Sequence, residues 1–207
     1  MLIKICGIRR PEDVAYVNQL QPDFIGFVFA PSKRQVSEEQ AALLKKSLSS
    51  NIKAVGVFVN AEQEKICRLA DAHTIDIIQL HGDEDADYCR RLRQLVHLPI
   101  IKAVRVRGAS SFTGLDAYPC DYLLFDTYTP GQYGGTGKRF DLRLGDDKYI
   151  GKPYFVAGGL DAGNVREVMS ETKALAVDVS GGVETEGFKD YKKMADFVAA
   201  VRSEQDD

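Results

Sequence analysis

The sequence predicts an α/β protein built as a single, compact (β/α)8 barrel of the TIM type. Three observations lead there. Eight short runs rich in Val, Ile and Phe recur along the 207 residues, each followed by a stretch of helical character. Most runs are nearly continuous rather than alternating in polarity, as in parallel strands covered on both faces. Successive runs start about 21 to 31 residues apart, close to the minimum for a βα unit, so eight units occupy 1–207 as one domain. An open doubly wound sheet is the other common solution for alternating strands and helices. It would carry a dinucleotide fingerprint after the first strand, whereas Cys6-Gly7-Ile8-Arg9-Arg10 offers one glycine.

In chain order, strands are expected over 2–6, 23–29, 53–58, 75–80, 99–104, 122–126, 153–157 and 174–179. Helix signals fill the intervals. Pro11 suits the first helical position, with Glu12 and Asp13 in the first turn. Ser37-Glu38-Glu39-Gln40 has the spacing of a capping box. Further helices are expected over 62–72, 83–96, 163–170 and 189–202. The intervals after the second and sixth strands are the longest and contain Ser32-Lys33-Arg34 and Gly131 to Lys138. Long loops at the catalytic face of a barrel are where substrate contacts are built.

The composition, 44% apolar and 28% charged with a net charge of −3, is that of an ordinary soluble domain. It has no basic footprint for nucleic acid or anionic lipid. No apolar run approaches the ~20 residues of a membrane span. The opening Met1-Leu2-Ile3-Lys4-Ile5-Cys6-Gly7 lacks the pattern of a secretory signal, so a cytoplasmic protein is expected. Cys6, Cys67, Cys89 and Cys120 form no CxxC pair and have no His at zinc spacing, so reduced thiols and no metal are expected.

Barrel active sites lie at the C-terminal ends of the strands. Cys6 ends strand one, Asp126 ends strand six, His81 follows strand four, and Asp178 lies near the end of strand eight. A thiol needs only a modest downward shift to act as a base, and burial or a second carboxylate keeps a carboxylic acid protonated. Cys6 and Asp126 could therefore flank a substrate as base and acid. A cysteine there also serves as a small apolar filler, and an aspartate as a helix cap. His81 is read as structural or substrate-orienting, because no triad accompanies it. Arg34 suits an anion or a solvated surface, and Lys102 at the end of strand five is open in the same way.

Gly158-Gly159 and Ser180-Gly181-Gly182 follow strands seven and eight, where a barrel builds a phosphate site from backbone N–H groups. A tight turn alone would also use such glycines. Gly134-Gly135-Thr136-Gly137-Lys138 fails the P-loop pattern, with Gln132 and Arg139 at the required Gly and Ser/Thr positions, and reads as a mobile loop covering the substrate or a plain flexible connection.

Eight pieces in register resemble the phosphoribosylanthranilate isomerase family, a (β/α)8 barrel of tryptophan biosynthesis. They are Lys4-Ile5-Cys6-Gly7-Ile8, Gly26 to Phe29 with Ser32-Lys33-Arg34, Val55 to Val59, and Gln79-Leu80-His81-Gly82. Phe125-Asp126-Thr127, Gly134 to Gly137, Ala157 to Leu160 with Asn164-Val165, and Asp178 to Glu184 complete the set. The resemblance implies a cofactor-free Amadori rearrangement of N-(5'-phosphoribosyl)anthranilate. It assigns Asp126 as general acid, Cys6 as general base, Arg34 to the anthranilate carboxylate and Asp178 to a ribose hydroxyl. The phosphate would rest on N–H groups around Gly158, Gly159, Ser180, Gly181 and Gly182, with His81 in the substrate site. Family members often carry two serines where this chain has Ser180-Gly181, a change that keeps an N–H and loses a hydroxyl. The small phosphoribosyl substrate is the expected partner, with no nucleic acid or membrane, and a monomer is expected over a homodimer. The histidine-pathway isomerase, which uses an Asp at the end of strand one and resembles two half-barrels, fits less well. A non-catalytic phosphosugar barrel leaves Cys6 and Asp126 without a task.

Overall fold

The computed structural model describes residues 1–126 and 150–203. The loop expected to cover the substrate, 131–138, lies outside the described residues. Eight parallel strands close into a barrel in sequence order: β1 (Leu2–Cys6), β2 (Phe24–Val28), β3 (Lys53–Phe58), β4 (Ile77–Leu80), β5 (Ile100–Arg105), β6 (Tyr122–Asp126), β7 (Tyr154–Ala157) and β8 (Ala176–Val179). Closure joins β1 to β8, with Lys4 opposite Asp178 in the register.

Side-chain alternation divides the core in two. Ile3 and Ile5 of β1 face outward into the layer between sheet and helices, with Ile25, Phe27, Ile78, Leu123 and Phe125. Leu2 and Cys6 face inward with Val55, Val57, Ile101, Leu124, Phe155 and Ala176. The interior is thus a filled core whose upper layer forms the mouth.

The helices are α1 (Pro11–Leu20), α2 (Glu38–Lys46), α3 (Gln63–Asp71), α4 (Ala86–Leu95), α5 (Val165–Glu171) and α6 (Tyr191–Arg202). Pro11 opens α1, and the Asp13 carboxylate accepts from the N–H groups of Arg9 and Arg10 at 3.0 and 3.1 Å. Ser37 caps α2 by accepting from the Gln40 N–H at 3.1 Å. Only half of the expected capping box forms, because the Gln40 side chain donates to the Arg9 carbonyl instead. Asp85 and Asp190 cap α4 and α6.

Three expectations are corrected. The unit after β5 has two short 3-10 turns, Ala109–Phe112 and Leu115–Ala117, where a helix was expected. Gly108 and Gly114, the latter at φ +70°, bracket a Ser-rich stretch that favours turns over a propagating helix. The strands expected from 99 and 153 begin one residue later, since Pro99 and Pro153 have no N–H to give the ladder. The helix expected from 189 begins at Tyr191, and Lys189 belongs to a small hairpin, β9 (Glu184–Thr185) with β10 (Phe188–Lys189). The Arg9 and Arg10 guanidiniums both lie over the Phe188 ring, 4.5 and 4.6 Å from its centroid, which pins the hairpin to the β1 loop. Among the described residues no helix is long and apolar enough to cross a membrane.

Candidate active site

Every strand runs toward one mouth, so the C-terminal ends of β1, β4, β6 and β8 bring Cys6, His81, Asp126 and Ser180 to the same rim, with Asp178 one inward layer below it. Cys6 sits over Gly26 of β2, where a Cβ would lie 2.6 Å from its sulfur, so glycine there makes room for the thiol. The Ser180 hydroxyl donates to the Cys6 carbonyl at 3.0 Å, tying β8 to β1. Burial pushes the Cys6 thiol up, and Asp178 adds to the rise; Lys4 and Lys189 pull it down without cancelling it.

Across the mouth, His81 Nε2 lies 3.2 Å from Asp126 Oδ2, and Gln79 Nε2 lies 2.8 Å from His81 Nδ1. With the Gln79 amide donating, Nδ1 accepts and the Nε2–H donates to Asp126. His81 is therefore placed beside the acid rather than acting as a separate catalyst. Its loop is braced from below. Lys102 donates to the Gly82 carbonyl at 2.8 Å and to Glu84 at 3.0 Å, and Glu84 accepts from the Asn60 and Gly82 N–H groups. Lys102 is thus a structural brace.

Asp178 is buried and accepts from Lys4 Nζ at 2.7 Å through Oδ2, while Oδ1 is buried with no hydrogen-bond partner among the described residues. Burial lifts the Asp178 carboxyl above its ordinary range, and the Lys4 ammonium opposes that rise. A buried carboxylate oxygen with an open lone pair beneath the mouth is a ready acceptor for a hydroxyl.

Arg34 reaches over Gly7, whose φ of +86° and missing Cβ let the side chain cross; a Cβ there would lie 2.6 Å from Arg34 Cδ. Its Nε and Nη2 form a fork on Glu184 at 2.6 and 2.8 Å. Lys189 completes the cluster, donating to Glu184 at 2.8 Å and to the Ser180 carbonyl at 3.0 Å. Burial pushes Glu184 up, but the bonds from Arg34 and Lys189 outweigh it and bring the carboxyl down to about 2.

The two glycine turns meet. Gly158 and Gly159 have φ of +98° and +65°, and a Cβ on Gly182 would lie 1.9 Å from the Leu160 carbonyl oxygen. The β8 turn therefore packs directly on the β7 turn. Sequence reasoning missed Lys4, Gln79, Glu184 and Lys189. Lys4 and Gln79 left a usable trace, since each stands two residues before a mouth residue on the inward face of its strand.

A family model for N-(5'-phosphoribosyl)anthranilate isomerase matches residues 3–200. The chain belongs to this family. A relative of that name from Lachnoclostridium phytofermentans is 46% identical over 97% of both chains, and one from Acetivibrio thermocellus is 44% identical over 97% of this chain and 95% of that one. Among solved structures, phosphoribosyl anthranilate isomerase from Thermotoga maritima superposes with a TM-score of 0.86 at 36% identity, covering 98% of this chain and 100% of that one. A phosphoribosyl anthranilate isomerase in complex with reduced 1-(o-carboxyphenylamino)-1-deoxyribulose 5-phosphate gives a TM-score of 0.84 at 32% identity, with the same coverage.

Proposed function

We propose that this barrel isomerises N-(5'-phosphoribosyl)anthranilate to 1-(2-carboxyphenylamino)-1-deoxyribulose 5-phosphate, with Asp126 as acid and Cys6 as base. Protonated Asp126 gives its proton to the furanose ring oxygen, the C1–O bond breaks, and the anthranilate nitrogen supplies the electrons for a Schiff base. The Cys6 thiolate then removes the C2 proton to give an enolamine. Transfer of the 2-hydroxyl proton to C1 yields the ketone, so oxidation at C2 balances reduction at C1 and no cofactor takes part. Once its proton has left, the Asp126 carboxylate accepts from His81 Nε2–H, which stabilises the ring-opened state.

Arg34, held on edge by Glu184, presents its guanidinium to the anthranilate carboxylate. Asp178 Oδ1 takes a ribose hydroxyl. The paired turns at Gly158-Gly159 and Ser180-Gly181-Gly182 cradle the phosphate. The observation that carries this reading is the placement of Cys6 and the His81–Asp126 pair on opposite sides of one barrel mouth. The test is fluorescent. Substrate formed in situ from anthranilate and phosphoribosyl pyrophosphate should lose its emission far faster with purified protein, and an unchanged decay overturns the reading.

A monomer is the assembly we propose. Among the described residues, the exposed large apolar ones, Leu43, Val59, Leu95, Phe188 and Tyr191, are spread over α2, the β3 loop, α4, β10 and α6, and Phe188 is already covered in part by Arg9 and Arg10. The Thermotoga maritima relative is described as dimeric, so light scattering on the eluting protein is the deciding measurement. Four free thiols, two of them buried, fit a reducing compartment such as the cytoplasm.

A further inference from the structure

Among the described residues, Lys4 is one of the largest fully buried side chains, with 0% of its surface exposed. It lies on β1 two residues before Cys6, at the same inward parity, so both side chains project into the barrel interior. Its ammonium has three donors. One bonds Asp178 Oδ2 at 2.7 Å, and the Cys6 thiol, two residues along β1 at the same inward parity, is the other group on the strand whose charge would bear on it. A buried ion pair is a weak source of stability, because apolar side chains of the same volume fill such a site as well or better. The position therefore calls for a role that an apolar residue would not fill.

We infer that Lys4 is a positioning residue for the Cys6 base: inside the barrel its ammonium is shared between Asp178 and the sulfur, and supplies the counter-charge for the thiolate. The inference rests on reading Cys6 as the base. Among the described residues, four charged groups bear on the thiol: Lys4 on its own strand, Asp178 on β8, Lys189 on β10 and Arg34 above β2. Asp178 works against ionisation. Lys189 is engaged by Glu184 and the Ser180 carbonyl, and Arg34 by the fork on Glu184. Lys4 alone combines immediate proximity along the strand with complete exclusion from water. Burial lowers the Lys4 ammonium, but Asp178 and Cys6 reverse this and hold it above its ordinary value, so the cation persists at the pH of catalysis. Burial raises the thiol, and Lys4 is the foremost group opposing that rise.

The test follows the Cys6 thiolate directly and turnover separately. Iodoacetamide labelling of Cys6, read by peptide mass across pH, reports the thiolate without any catalysis. Lys4→Met should move the labelling inflection up by about one pH unit or more, a tenfold fall in thiolate below it. The alkaline rise of kcat should move with it, with KM changed much less. Lys4→Met leaves Asp178 as a buried unpaired anion. If that variant does not fold, the same comparison is made between Lys4→Met/Asp178→Asn and Asp178→Asn, which differ only at Lys4. An inflection unmoved by loss of Lys4 overturns the inference. An inflection that moves while the kcat profile stays put upholds the coupling of Lys4 to Cys6 and overturns Cys6 as the base.

Discussion

Glu184→Gln removes one charge from the cluster that orients Arg34, and its consequences are calculable. The carboxylate accepts from Arg34 at 2.6 and 2.8 Å and from Lys189 at 2.8 Å, and its side chain is only 6% exposed. Its titration falls from 4.5 to about 2 on folding. At ~1.4 kcal/mol per unit, that difference is on the order of 3 kcal/mol at neutral pH, and water at the mouth reduces it to about 1–3 kcal/mol. The sign is fixed by the depressed value. The contribution is full above about 4.5 and is lost as pH falls toward about 2. Urea denaturation should show Glu184→Gln destabilised by about 1–3 kcal/mol at pH 7 and by roughly half as much at pH 3. Loss of the fork also frees the Arg34 guanidinium to rotate, so KM should rise about tenfold while kcat changes little. A stability gap that is the same at pH 3 and pH 7, or a KM within twofold of the parent, refutes the argument.

Cys6→Ala and Asp126→Asn should each lower kcat by about 10²–10⁴ in the fluorescence assay, and near-normal turnover in either removes that residue from its role. Gly26→Ala places a methyl 2.6 Å from the Cys6 sulfur, so kcat should fall together with about 1–3 kcal/mol of stability on thermal unfolding. Gly182→Ala drives a methyl into the Leu160 carbonyl and should separate the two glycine turns, weakening phosphate-bearing product in calorimetry. Gly181→Ser meets only Arg34 Nη2, at 3.4 Å, and should bind at least as well as the parent.

The barrel was legible because each βα unit carries its own evidence: a short apolar run, a capping residue and a spacing near the minimum. Ser37, Asp13 and Pro11 act within a few residues of where they stand, so local reading finds them. The fifth unit failed because nothing in 106–117 distinguishes a poor helix from paired 3-10 turns, except the glycines that decide it. The β9–β10 hairpin is two residues per strand, too short to show a period, and its anchor is Phe188 meeting arginines some 180 positions earlier.

The site divides along the same line. The mouth residues were legible because topology alone places the last residue of each strand, whatever surrounds it. Their support was not, because Glu184 meets Arg34 across 150 positions and Asp178 meets Lys4 across 174. Strand parity narrows that gap. Below the mouth layer of Cys6, His81, Asp126 and Ser180, two residues back on each strand, lie Lys4, Gln79, Leu124 and Asp178. Three of these four are polar in a layer that packing alone would make apolar: Gln79 bonds His81 above it, and Lys4 and Asp178 pair with each other beneath Cys6 and Ser180. Under the acid stands Leu124, which has no polar atom to offer. Asp126 is instead reached sideways, through His81, which Gln79 holds from the layer below. Base and acid are therefore supported by different routes, one from beneath along β1 and the other from beneath β4 and across. A polar residue at inward parity inside an otherwise apolar barrel strand is the sequence signal that would have exposed both.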